Sequence, residues 1–220
     1  MDPSGMTIEP AGEEESRLFE NYKNIVNDRK NFWQKRIELR EQQRDNAKTK
    51  LGRAIRNHQL KQAVRSKSEF VQIQDELNKM EESSIVFRIR MGDNIQVTSD
   101  KPSGGITTYN TANNEVDINV GTSSFFNPIQ IIAHELLHGF QYYGGELDFS
   151  ADGIHGGYLY DKTDEIAAYK RGNLFGNIAN PWLQVRQHYN TIPSEHRSYN
   201  LLTPIEKIQY DQSKSKGKYW

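Results

Sequence analysis

From Glu13 to Glu82 the chain runs seventy residues with no proline and a single glycine, Gly52, in a stretch dense in Glu, Lys, Arg and Gln. Such a composition leaves little but α-helix open to it, because these straight-chain residues lose little rotamer freedom in a helix. Leu18, Tyr22, Ile25, Val26, Phe32, Trp33 and Ile37 recur at helical spacing and mark a narrow apolar stripe. The Thr49-Lys50-Leu51-Gly52 run predicts a break, followed by two further helices over residues 53–64 and 67–80. Residues 1–12, rich in Gly, Pro and acids, read as a flexible leader. With only 35% hydrophobic residues overall, part of the chain must be solvated extension rather than core.

Charge is segregated within the helical stretch. Between Arg29 and Lys67 stand 13 Lys or Arg against three acids, although the whole chain sums to −1. Such a run can attract polyanions. With Phe32 and Trp33 the only aromatics between Arg29 and Lys67, it reads instead as a solvated helix face, and nucleic acid is not expected as a partner. The absence of cysteine excludes disulfides, thiol nucleophiles and thiolate metal sites, so any metal must be held by His, Asp, Glu or backbone oxygen. No run approaches the roughly 20 apolar residues that span a bilayer. The first six residues lack the basic and apolar regions of a secretory signal.

The texture changes at Ser83. Residues 85–91 alternate apolar and polar from Phe87 onward as a half-buried strand does, and Asn94–Thr98 is a second short strand candidate. Lys101–Gly105 reads as a loop. Ile106–Tyr109 and Glu115–Val120 flank Asn110-Thr111-Ala112-Asn113-Asn114, a hairpin with Asn turn chemistry. These segments predict a small antiparallel or mixed sheet. Next comes a strong helix start: Asn127 as cap, Pro128 at the first position, and Gln130 three residues after the cap. Ile129, Ile131, Ile132, Ala133, Leu136, Leu137 and Phe140 make this helix apolar on most sides, hence buried. It should end at Gly144-Gly145. A further helix is expected over residues 161–175.

The buried helix carries His134-Glu135-Leu136-Leu137-His138. Residues four apart share a helix face, so the two imidazoles project side by side and suit one zinc ion. Glu135 lies about 100° around the helix, placed to act as general base on a zinc-bound water and then as acid toward the leaving amine. Gly139 would leave room beside the metal. Two imidazoles and a carboxylate inside an apolar helix are costly unless something pairs them, and a cation does so. A third protein ligand is required. Residue 144 is Gly, which excludes a third His six residues after the second. Glu165 on the next helix is the preferred candidate, since a helix holds a ligand more rigidly than a loop; His155, in a Gly-flanked loop, is the alternative. Asp161 and Asp164 are candidate acceptors for imidazole N–H or surface acids. Tyr158, Tyr160, Tyr169 and Arg171 are unassigned candidates for stabilising an oxyanion.

These residues, with Asp164-Glu165-Ile166-Ala167-Ala168-Tyr169 downstream, resemble the gluzincin arrangement of zincin metallopeptidases. The run His134–Gln141 with Leu159-Tyr160-Asp161, Asp164-Glu165, Ala168-Tyr169 and Arg171-Gly172 is similar to metallopeptidase toxin domains of Rhs (YD-repeat) polymorphic toxins. Asp2-Pro3-Ser4-Gly5-Met6 resembles the motif closing an Rhs core. The resemblance covers about residues 110–175 and the first six. It implies an α+β zincin-like fold, zinc on His134, His138 and Glu165 with Glu135 catalytic, and a polypeptide substrate laid against an active-site strand, for which Glu115–Val120 is the choice. It also implies a secreted effector delivered by a secretion apparatus, an Rhs delivery shell and a cognate immunity protein. Many gluzincins carry Asp four residues after the ligand Glu; Tyr169 stands there. An SprT-like DNA-associated protease using His155, and a non-catalytic module with a structural zinc, are the competing readings. The expected organisation is a leader over 1–12, a charged helical extension over 13–82, a catalytic domain over 83–205 and a polar tail over 206–220.

Overall fold

The computed structural model describes residues 8–92, 104–110, 112–113, 115–122, 127–150, 153, 156–176, 180–188 and 191–216. The Asp2–Met6 motif, the strand candidate Asn94–Thr98, residues 101–103 and His155 lie outside that set, as do the last four residues. The described chain is α+β, with one four-stranded sheet and six α-helices. None of these helices is long and apolar enough to cross a membrane. The chain forms two compact units. One is Glu20–Lys79; the other joins the residues up to Phe19 with those from Met80 onward.

The Glu20–Lys79 unit is a pair of helices, contributed by α1 (Glu13–Asp45) and α2 (Lys50–Glu81). Two helices replace the three expected. The break falls at Asn46–Thr49, where Thr49 Oγ1 accepts the Gly52 amide at 3.0 Å and caps α2. Gly52 thus sits in the first turn, where its amide lacks an intrahelical partner anyway, and nothing after it interrupts good helix formers. Lys67 Nζ donates to Gln34 Oε1 at 2.7 Å, tying the two helices as an antiparallel hairpin. Arg29, Lys35, Arg36, Lys48, Arg53 and Lys61 stand exposed.

The other unit is built on strands β1 (Ile8–Pro10), β2 (Val86–Gly92), β3 (Gly105–Asn110) and β4 (Glu115–Gly121), in the order β1-β2-β4-β3. β1 and β4 both run parallel to β2, and β3 runs antiparallel to β4. The sheet is therefore mixed rather than wholly antiparallel. The antiparallel pair is the one joined by a tight turn, where Asn110 Oδ1 accepts the Ala112 and Asn113 amides. Two sequence expectations change. Ile8–Pro10 is not flexible leader but a strand of the sheet, with Ile8 only 1% exposed. Glu115–Val120, chosen as the strand for a substrate to lie against, is not an edge strand: β4 lies inside the sheet, and β1 and β3 are its edges.

Register explains the sheet's two faces. Phe87 pairs with Val116 and Ile89 with Ile118, all fully buried, as period-two alternation requires. On the other face Arg88 bridges Glu9 and Glu115 at 2.7 and 3.0 Å, and Arg90 pairs with Asp117 at 2.9 Å. Cutting Ile8 back to Ala should lower unfolding free energy by about 2–5 kcal/mol, the usual range for a buried Ile. Urea unfolding measures it, and an unchanged midpoint would return Ile8 to a flexible leader.

Helix α3 (Pro128–Tyr143) packs on the apolar face. Its start has both halves of the capping box: Asn127 Oδ1 accepts the Ile129 amide, and Gln130 Oε1 accepts the Asn127 amide. Gly139 faces the sheet, not the metal site: a Cβ there would stand 3.1 Å from Ile118 and 3.3 Å from Phe87. Helix α4 (Lys162–Asn173) packs on α3 with Ala168 fully buried. Helices α5 (Pro181–His188) and α6 (Pro204–Lys216) follow. The boundary placed after residue 205 cuts through α6. Tyr210 on α6 is buried with Leu202 and Leu159, so this segment is not a mere polar tail. Thr203 caps α6, its amide donating to Glu206 Oε2.

Candidate metal centre

Helix periodicity brings His134 and His138 onto one face of α3, with Nε2 atoms 3.2 Å apart. Helix α4 brings Glu165 to the same point. Its Oε1 lies 3.2 Å from His138 Nε2, and its Oε2 lies 3.5 Å from His134 Nε2. Ligands bound at about 2.0–2.1 Å to a tetrahedral ion stand about 3.3–3.4 Å from one another. The three separations, taken to the nearer carboxylate oxygen of each imidazole, lie around that length. Glu165 Oε2 is buried and accepts no hydrogen bond, an expensive state for a carboxylate oxygen that a cation would relieve. Among the described residues, these three form the group able to hold a metal. The donor set, two imidazoles and one carboxylate, suits zinc.

Charge at the site has the same sense. Burial opposes charge on His138, but the Glu165 carboxylate outweighs it and lifts the imidazole to about 9. Burial likewise opposes charge on Glu165, yet the two imidazoles hold its carboxyl well below the usual range. Groups that attract a proton so strongly between them also attract a cation. His134 is the most open of the three, with 12% of its side chain exposed against 7% for His138 and 4% for Glu165. Access to the centre is therefore greatest on the His134 side.

Glu135 is buried beside the triad at 5% exposure. Thr107 Oγ1 on β3 stands 2.9 Å from both its carbonyl oxygen and its Oε2, a hydroxyl able to donate to either. Burial raises the Glu135 carboxyl above its ordinary value, against the pull of His134, His138 and Thr107. Gly105 supplies the space: a Cβ there would lie 2.8 Å from Glu135 Oε1 and 2.5 Å from Ile131 Cγ2. Neither Thr107 nor Gly105 carried a signal in the sequence, since only strand pairing reveals which edge meets α3.

The remaining candidates separate. Asp161 is the N-cap of α4, its Oδ1 accepting the Thr163 amide, and makes no contact with an imidazole of the triad. Asp164 completes that capping box through Oδ2, while its Oδ1 accepts from Gln141 Nε2 at 3.1 Å. Burial lifts Asp164 to about 7. Tyr160 donates to Glu165 Oε1. Tyr169 sets its ring edge-on to His134, with centroids 4.6 Å apart. Tyr158 turns away to Gln209. No protein-family model, curated protein or solved structure matches the chain.

Proposed function

We propose that the chain is a zinc-dependent endopeptidase of the gluzincin kind, with His134, His138 and Glu165 as ligands and Glu135 as general base and acid. The observation that carries this reading is the convergence of two imidazole nitrogens and the two oxygens of one carboxylate at 3.2–3.5 Å, with one of those oxygens left unbonded and a second carboxylate alongside. When bound, zinc would polarise a substrate carbonyl and bring the pKa of a water toward about 7.

The protein's own groups supply the rest. Glu135 takes a proton from the attacking water and holds it. Thr107 steadies Oε2, which leaves Oε1 for the proton. A carboxylate whose pKa is raised by burial is a stronger base toward water than an exposed one, and its acid form carries the proton on to the leaving amine. The edge of β3 at Gly105 and Thr107, before Tyr109 whose amide donates to the Gly153 carbonyl at 2.7 Å, lies against Glu135 and suits an extended polypeptide adding alongside it. The proposal extends, on the resemblance to Rhs toxin domains, to an effector delivered into a target cell and restrained by an immunity protein.

Metal removal tests it. Quenched fluorescent casein should be cleaved by the purified chain; 1,10-phenanthroline should abolish cleavage, and added zinc should restore it. Undiminished cleavage by chelator-stripped protein would sink the reading.

A further inference from the structure

The residue four places after Glu165 is Tyr169, so the carboxylate that many gluzincins put there to orient an imidazole is missing from this chain. His138 nevertheless has a partner. Gln141, three residues on and hence on the same face of α3, places Oε1 at 2.9 Å from His138 Nδ1. The other end of that amide, Nε2, donates to Asp164 Oδ1 at 3.1 Å. Asp164 Oδ2 in turn accepts the Asp161 amide at the start of α4. All of these side chains are buried.

Each link fixes the direction of the next. Asp164 Oδ2 already accepts the Asp161 amide, and an ionised Asp164 can only accept at Oδ1 as well, so the amide turns its NH2 end toward that carboxylate. Oε1 is then left facing the imidazole. An amide oxygen only accepts, so Nδ1 must carry a proton, and Nε2, facing His134 and Glu165, is the nitrogen left to a metal. We infer that Gln141 is a positioning residue of the metal centre: its side-chain amide fixes the tautomer and ring plane of His138 and ties the helix carrying two ligands to the helix carrying the third. This rests on the metal reading proposed above. The acceptor is neutral where a carboxylate is common, and it lies on the zinc helix itself. The charge is displaced one step outward, onto Asp164.

Substitutions on both ends of the link test it. Gln141→Met keeps size and shape but removes both hydrogen-bonding ends, and should weaken zinc binding about 10–100-fold, as loss of such partners does. Gln141→Glu sets two carboxylates against each other and should also weaken it. The pair Q141E/D164N restores the pattern, since the introduced carboxylate accepts from Nδ1–H and the introduced amide donates to it while accepting from Asp161. Its affinity should exceed the product of the two single effects, a rescue that a packing role would not give. Zinc affinity is read by competition with a fluorescent chelator. Nitrogen-15 NMR of the zinc-loaded wild type should show His138 metallated at Nε2, with a slowly exchanging Nδ1 proton that Gln141→Met loses. If the wild type takes up no zinc, the metal reading itself falls. If it binds zinc and Gln141→Met binds equally well, or if His138 is metallated at Nδ1, the positioning role alone is overturned.

Discussion

Glu135→Gln is expected to retain one zinc per chain and to cleave casein about 10²–10⁴-fold more slowly, the range that general acid–base catalysis contributes. The amide has the shape of the carboxylate and can still accept from Thr107 Oγ1, which lies 2.9 Å from Oε2. It cannot take a proton from water at neutral pH. Burial already works against the charge of Glu135, so removing that charge should leave thermal stability equal or higher. A loss of activity with an unchanged or raised melting temperature therefore separates chemistry from folding. Elemental analysis, casein cleavage and a thermal melt on one preparation give all three readouts, and near-wild-type turnover would remove Glu135 from the mechanism.

The second large effect concerns the third ligand. Glu165→Ala should lose most of its zinc on dialysis, a greater loss than the about 10–100-fold that changes around the ligands cause. Two of three donors would remain, and the buried imidazoles would lose the carboxylate that now lies 3.2 Å from one and 3.5 Å from the other. His155→Ala should keep its zinc. Metal content of the two variants decides between them: a zinc-replete Glu165→Ala beside a zinc-depleted His155→Ala would move the third ligand into the loop.

What could be read from the residues was whatever short-range chemistry dictates. Helix α3 was legible to its cap, because Asn127, Pro128 and Gln130 act within four residues of one another. The meeting of His134 with His138 follows from helix period alone, and the place of Glu165 followed from a rigid helix nearby. The strand pairings were not legible. Ile8–Pro10 is three residues in a Gly- and Pro-rich segment, and its burial depends on a partner far along the chain. Gly139 looked like space for a ligand because α3 precedes any knowledge of which face the sheet takes. Helix α6 did carry its signal, Thr203-Pro204-Ile205-Glu206, a capping box with Pro at the first position, but the Ser- and Lys-rich residues after it read as tail. Gln141 stood at a legible spacing from His138, yet an amide three residues away has many possible partners until Asp164 is placed.

The pairing of β1 with β2 also sets an order of events. Phe87 follows its partner Ile8 by 79 residues. At about 5–20 residues per second, a ribosome takes roughly 4–16 seconds to make that interval. Helices can form locally within microseconds meanwhile, but the first strand must wait unpaired. His134, His138 and Glu165 emerge later still. Nascent protein is thus unable to bring its three donors together until Glu165, 78 residues beyond Phe87, has left the exit tunnel.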